Sequence, residues 1–109
     1  MIYYLAGAMS GIPEFNAPAF RAAADKLRAE GHEVISPIEM DESVYGDGCH
    51  ARIVDHAAFN RADDLTRDLT AILKYADAIA LLPGWEHSTG AFAEWATARA
   101  KPVKEIRYL

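Results

Sequence analysis

The sequence predicts an α/β domain, a small doubly wound parallel sheet with helices on both faces. Three observations carry this. Short apolar runs alternate along the chain with longer segments of helical period. The run "DAIALLP" at 77–83 is apolar nearly throughout, as expected of a central parallel strand covered on both faces. The apolar runs also end at glycine or proline, at Gly7, Pro37 and Pro83.

Taken in order, residues 1–6, "MIYYLA", read as a buried strand closed by Gly7. Asn16 is a candidate helix N-cap with Pro18 in the first turn, and the helix runs through Phe20, Ala23, Ala24 and Leu27 to a stop at Gly31. "HEVIS" (32–36) is a second short strand, stopped by Pro37. From Glu39 to Phe59 the chain is polar and irregular around "YGDGCH". That is long for a connection in a compact domain, so a functional flap or a short extra helix is expected there.

Asn60 can cap the next helix, with Asp63 in the reciprocal position. Leu65, Leu69, Ile72, Leu73 and Ala76 fall on one stripe of it. Another helix starts near Ser88 and reaches about Ala100. "KPVKEI" (101–106) forms a last strand, where Pro102 and two lysines mark a sheet edge. With right-handed crossovers this order makes a flavodoxin- or Rossmann-like sheet of about four to five strands, one domain over 1–109. Such sheets bind ligands beyond the carboxyl ends of their strands. Here that edge gathers "GAMSG" (7–11), Ser36-Pro37 and "PGWEHSTG" (83–90).

Composition narrows the partners. With a net charge of −5 and no basic stripe, the chain is not expected to bind nucleic-acid polymers. Cys49 is the single cysteine, which excludes an internal disulfide and fits a reducing compartment. The opening "MIYYLAG" has no basic leader and only a very short apolar run, so neither a signal peptide nor a membrane span is expected and the cytoplasm is the default location. His50 and His56, with Asp47, Cys49 and Asp55, match no metal-binding spacing, so no metal is expected.

Glu94 is the residue that needs explaining. It interrupts "AFAEWATA" (91–98), a helix apolar nearly all round, where a carboxylate is costly unless it is hydrogen-bonded or kept for its chemistry. The plainer alternative is a partly exposed glutamate on a surface stripe with Arg99. "HSTG" (87–90) offers Ser88 or Thr89 as a helix cap, and the same helix N-terminus is a ready anion site; the two roles are compatible. The glycine loop 7–11 permits a close backbone approach by a ligand, or serves only as a strand-to-helix turn. Asp68 lies at the edge of its helix's apolar stripe, where a carboxylate is commonly solvated. Tyr4, Tyr45 and Trp85 could stack on a base or pack as core and rim residues.

The segments "YLAGAMSG" (4–11), "RDLTAI" (67–72) and "STGAFAE" (88–94) resemble the nucleoside 2-deoxyribosyltransferase superfamily, in particular small phage and bacterial members with "YLAGPMSG…P-E-F-N…LLPGWE-S-GA…E". The resemblance implies that Glu94 attacks the anomeric carbon of a 2-deoxyribosyl group, that Asp68 stands near the leaving base, and that Tyr4 orients the nucleophile. An oxocarbenium-like transition state suits such a carboxylate pair, which in retaining glycosidases works across roughly 5 Å. Ser88, Gly90 and Glu94 also match the Ser-x-Gly-x-x-x-Glu of 2′-deoxynucleoside 5′-phosphate N-hydrolases. That likeness implies a 5′-monophosphate substrate, with Gly7, Met9, Ser10, Gly11 and Trp85 as further substrate contacts.

Two departures stand out. Asp68 precedes Asp77 by nine residues where eight is usual, and Ala8 replaces the proline of the commoner loop. The expected function is therefore N-glycosidic cleavage or transfer on deoxynucleotides without a cofactor, the alternative being a non-catalytic nucleotide-binding module. The apolar outer side of the last helix is expected to meet a second copy, most simply as a homodimer.

Overall fold

The computed structural model describes residues 1–54 and 58–109. Four strands, β1 (Ile2–Ala6), β2 (Glu33–Ile35), β3 (Ala78–Leu81) and β4 (Glu105–Tyr108), form one parallel sheet in the order β2-β1-β3-β4. Among the described residues five α-helices accompany them: α1 (Ala17–Ala29), α2 (Pro37–Tyr45), α3 (Cys49–Arg52), α4 (Arg61–Tyr75) and α5 (Thr89–Ala100). The chain first winds from β1 outward to β2, then crosses back to β3 and on to β4. A right-handed crossover places the helix on opposite faces for the two directions. Accordingly α1 packs on Tyr3, Leu5, Ala78 and Ala80, while α4 and α5 cover Tyr4, Ala6, Ile79 and Leu81. Every residue of β3 is buried, as the apolar run requires, and β4 is an edge strand.

The winding reverses between β1 and β3, so the loops after these two strands open a crevice at their carboxyl ends. Gly7 begins the first of these loops for a steric reason. A Cβ there would lie 2.9 Å from Leu82 Cβ and Cδ1, inside the core. Gly7→Ala is therefore expected to destabilise the fold by about 1–3 kcal/mol through overpacking, read as a lower midpoint in urea unfolding.

Several local expectations are corrected. Asn16 does stand at the N-cap position of α1, but its side chain makes no capping hydrogen bond: it sits in the left-handed region at φ 64°, following Glu14 and Phe15 at φ 53° each, and its side-chain amide donates to Ala8 O at 3.1 Å. Asn16 thus ties the glycine loop to the start of α1. The stretch after Glu39, read as irregular with a flap or a short extra helix, carries the rest of α2 to Tyr45 and then α3 at Cys49–Arg52. Pro37 not only ends β2 but begins α2, its fixed φ suiting a first helical turn, and Ile38 anchors α2 in the core. "KPVK" is a turn, with Val103 N bonded to Ala98 O and Lys104 N to Asp77 O, so β4 pairs only from Glu105 to Tyr108. Leu73, expected on the buried stripe of α4, is 52% exposed. Ile72 and Ala76 of that stripe are buried, and Asp68 and Ala71 join them, because α5 packs alongside α4 as well as the sheet beneath.

Candidate active site

Helix α5 starts where the second crevice loop ends. Ser88 is its N-cap, its hydroxyl oxygen accepting from Ala91 N at 3.2 Å. The N–H groups of Thr89 and Gly90 then lie in the first turn, which has no intrahelical acceptors, and carry the positive end of the helix dipole. Just under two turns on, Glu94 enters the core at 5% exposure. The Tyr4 hydroxyl, from the middle of β1, donates to Glu94 Oε2. Asp68, from the buried face of α4 and 9% exposed, lies against the same carboxyl.

Burial raises both acids, because a carboxylate loses its water there. Glu94 is pushed up to about 8, first by desolvation and then by the neighbouring Asp68 charge, with the Tyr4 hydrogen bond acting the other way. Asp68 is raised to about 6 by desolvation, against the opposing pull of Arg67. Two adjacent acids with pKa values separated in this way hold one proton between them near neutral pH. The arrangement can therefore supply one nucleophile and one acid at the same time.

A cavity of about 250 Å³ opens over Glu94. Gly7, Met9 and Ser10 form one side of it, and Ser88, Gly90 and the end of α5 the other. Of the residues singled out in the sequence, these and Glu94 come together; Tyr4 and Asp68 support Glu94 from behind the wall. Gly11, left-handed at φ 79°, borders a separate open groove. Trp85 lies outside the cavity, in a surface cluster with Phe92, Trp95 and Tyr108 at ring separations of 5.2–6.1 Å.

Two arginines escaped the sequence reading. Arg61, the first residue of α4, lines the cavity and donates to Thr89 Oγ1 at 3.0 Å, so a cation stands beside the α5 N-terminus. Arg67 grips Asp68 through Nη2 and Nε at 2.8 and 2.9 Å. Nothing in local sequence marks Arg61, since charged first-turn positions are ordinary in surface helices, and Arg67 entered the sequence only as the first letter of "RDLTAI", with no role given to it. A smaller compartment of about 80 Å³ adjoins the cavity across Met9, Arg61 and Gly90, and its walls include Phe15, Phe59 and Leu65. Phe15 and Phe59 meet edge to face at 5.1 Å.

Among the described residues no group of three His, Cys, Asp or Glu side chains is placed to hold a metal ion, and no helix is long and apolar enough to cross a membrane. Asp55 and His56, weighed in the sequence as metal candidates, lie outside the described residues. No curated protein and no solved structure matches the chain. A family model does, described as a domain of unknown function, DUF4406, and since it spans residues 1–107 the chain belongs to that family.

Proposed function

We propose that this domain breaks the N-glycosidic bond of 2′-deoxynucleoside 5′-monophosphates, with Glu94 as the nucleophile. The observation that carries this reading is the buried Asp68–Glu94 pair, braced by Tyr4, beneath a cavity whose rim joins a helix N-terminus to Arg61. A dianionic phosphate suits that rim, where Ser88, the first-turn amides of α5 and a guanidinium converge. The aromatic compartment suits the base, whose flat faces pack well on Phe15 and Phe59. The sugar then lies between them, over Glu94.

In the proposed step Asp68 takes the shared proton and ionised Glu94 attacks C1′. The C1′–N bond breaks as its electron pair leaves with the base, which takes up the proton held by Asp68. Water or a second base then attacks C1′ of the glycosyl ester, gives its proton to Asp68 and frees Glu94. The Tyr4 hydroxyl, donating to Glu94, stabilises the carboxylate in its attacking form.

The test is chromatography of each of the four deoxynucleoside 5′-monophosphates, and of the matching nucleosides, after incubation with the protein. Free base from the monophosphates is the expected result, and no base from any of them would overturn the reading. Nucleotide binding without base release, unchanged by Glu94→Gln, would instead assign the site to a nucleotide-binding module. Arg61→Ala is expected to raise KM for monophosphates about tenfold or more, the scale of one lost charge-assisted hydrogen bond, while leaving nucleosides little affected. Equal effects on both would remove Arg61 from the phosphate site.

A further inference from the structure

Helices α2 and α3 bring to Asp68 a run of buried polar groups to which the glycosidic reading gives no role, although Asp41 also lines the base compartment. Asp41 on α2 and His50 on α3 are 4% and 3% exposed. His50 Nε2 stands 2.8 Å from Asp41 Oδ2, and a ring nitrogen facing a carboxylate carries the proton and donates it. The other ring nitrogen, Nδ1, lies 3.5 Å from Cys49 Sγ. Burial raises the Cys49 pKa, so the thiol keeps its proton. With its Oδ2 occupied in this way, Asp41 turns Oδ1 to Arg67 Nη2 at 2.8 Å.

The Arg67 grip on Asp68 needs such a partner. The two are neighbours in sequence, and successive residues on a helix point in different directions. Yet Arg67 Nη2 and Nε both reach Asp68 Oδ1. A guanidinium left to itself on a side chain 22% exposed would extend into water, where its hydration is complete. Asp41, on a different helix, holds it folded across α4. Asp64, one turn earlier on α4, does not do so: it is 3.7 Å from Arg67 Nη1 and accepts instead from the Tyr45 hydroxyl at 3.0 Å. Among the described residues Arg67 Nη1 has no hydrogen-bond partner, so Arg67 depends on Nη2 and Nε for its placement.

We propose that Asp41, seated by His50, is a positioning residue that holds the Arg67 guanidinium against Asp68. The segment Pro37–Arg52 is then the arm that delivers this clamp to the carboxylate pair. Its bearing on catalysis rests on the reading of Asp68 and Glu94 as acid and nucleophile, whereas the clamp itself can be measured without any activity. The charged and titratable groups facing Asp68 are Arg67 and Asp64 on its own helix, Asp41 from α2, Glu94 from α5 and Tyr4 from β1. Of these Arg67 lowers the Asp68 pKa, while Asp41 and Asp64 raise it.

The two simplest changes at Asp41 therefore act in opposite directions. Asp41→Ala removes the anchor and releases Arg67, so the Asp68 pKa rises by about one unit or more. Asp41→Asn keeps an oxygen acceptor for Arg67 and removes a like charge, so the Asp68 pKa falls. Carboxyl-carbon NMR titration of Asp68 in the wild type and both variants reads these shifts directly. An unchanged Asp68 in Asp41→Ala, or an upward shift in Asp41→Asn, overturns the proposal; the second holds even where the alanine variant does not fold. In an Arg67→Gln background, Asp41→Ala should raise the Asp68 pKa no further, and an undiminished rise there would also overturn it. Where the wild type releases base, Asp41→Ala is expected to lower kcat about tenfold and to move the acid limb of its pH profile upward with the Asp68 pKa. If the wild type releases none, the glycosidic reading fails and the titration alone decides the clamp.

Discussion

Glu94→Gln is expected to lower base release from deoxynucleoside 5′-monophosphates by at least about 10³-fold, the scale on which losing a covalent nucleophile acts. The amide keeps the volume of the side chain and an oxygen that accepts from Tyr4, but it cannot attack C1′. Nucleotide affinity should survive, because the phosphate contacts lie at Ser88, the α5 amides and Arg61. The same variant is expected to be more stable than the wild type at alkaline pH. The Glu94 pKa is raised in the folded state, from 4.5 to about 8. Such a group contributes stability that is fully present below pH 4.5 and is lost as pH rises through about 8. The wild type should thus lose a few kcal/mol from this residue across that window, and the glutamine variant none. Thermal melts at pH 5 and pH 9 check this, at roughly 4–8 °C per kcal/mol for a domain near this size. Parallel curves for the two proteins would show that Glu94 is not a buried acid.

The rate of base release is expected to follow a bell in pH, with limbs near 6 and 8 set by the carboxylate pair. Below the lower limb both acids are protonated and no nucleophile remains. Above the upper limb both are ionised, the departing base finds no acid, and the two like charges oppose each other. Beyond each limb kcat should fall about tenfold per pH unit. Asp68→Asn is expected to reduce kcat by about 10²-fold or more and to flatten the alkaline limb, since its amide has no proton to lose. A rate constant flat from pH 5 to pH 9 would separate catalysis from this pair.

The features legible in the sequence are those decided within a few residues. The nearly wholly apolar run at 77–83 reads as a strand covered on both faces, and Ser88 and Asn60 announce helix starts because an N-cap acts on amides three residues away. The alternation of strands and helices then left one simple winding, and with it the edge where a ligand would sit. Glu94 was partly legible for a similar reason: from Ala91 to Ala98 its helix is apolar nearly all round, so a carboxylate there called for an explanation, although a surface stripe with Arg99 stood beside the buried reading.

Tertiary structure decided the rest. Whether Asp68 was solvated or buried depended on α5 lying beside α4, a contact between helices more than a dozen residues apart. Arg61 is an ordinary first-turn residue until its helix start is set beside that of α5. Asp41 and His50 are polar residues in a polar stretch until Pro37 starts α2 and Ile38 turns it onto the core. Asn16 had the chemistry of a cap and was drawn instead to Ala8 O by the close approach of the glycine loop. Period and capping report on one element at a time. The charge state of the candidate site is a sum over side chains from β1, α2, α4 and α5, and only the packing of those elements brings its terms within reach of one another.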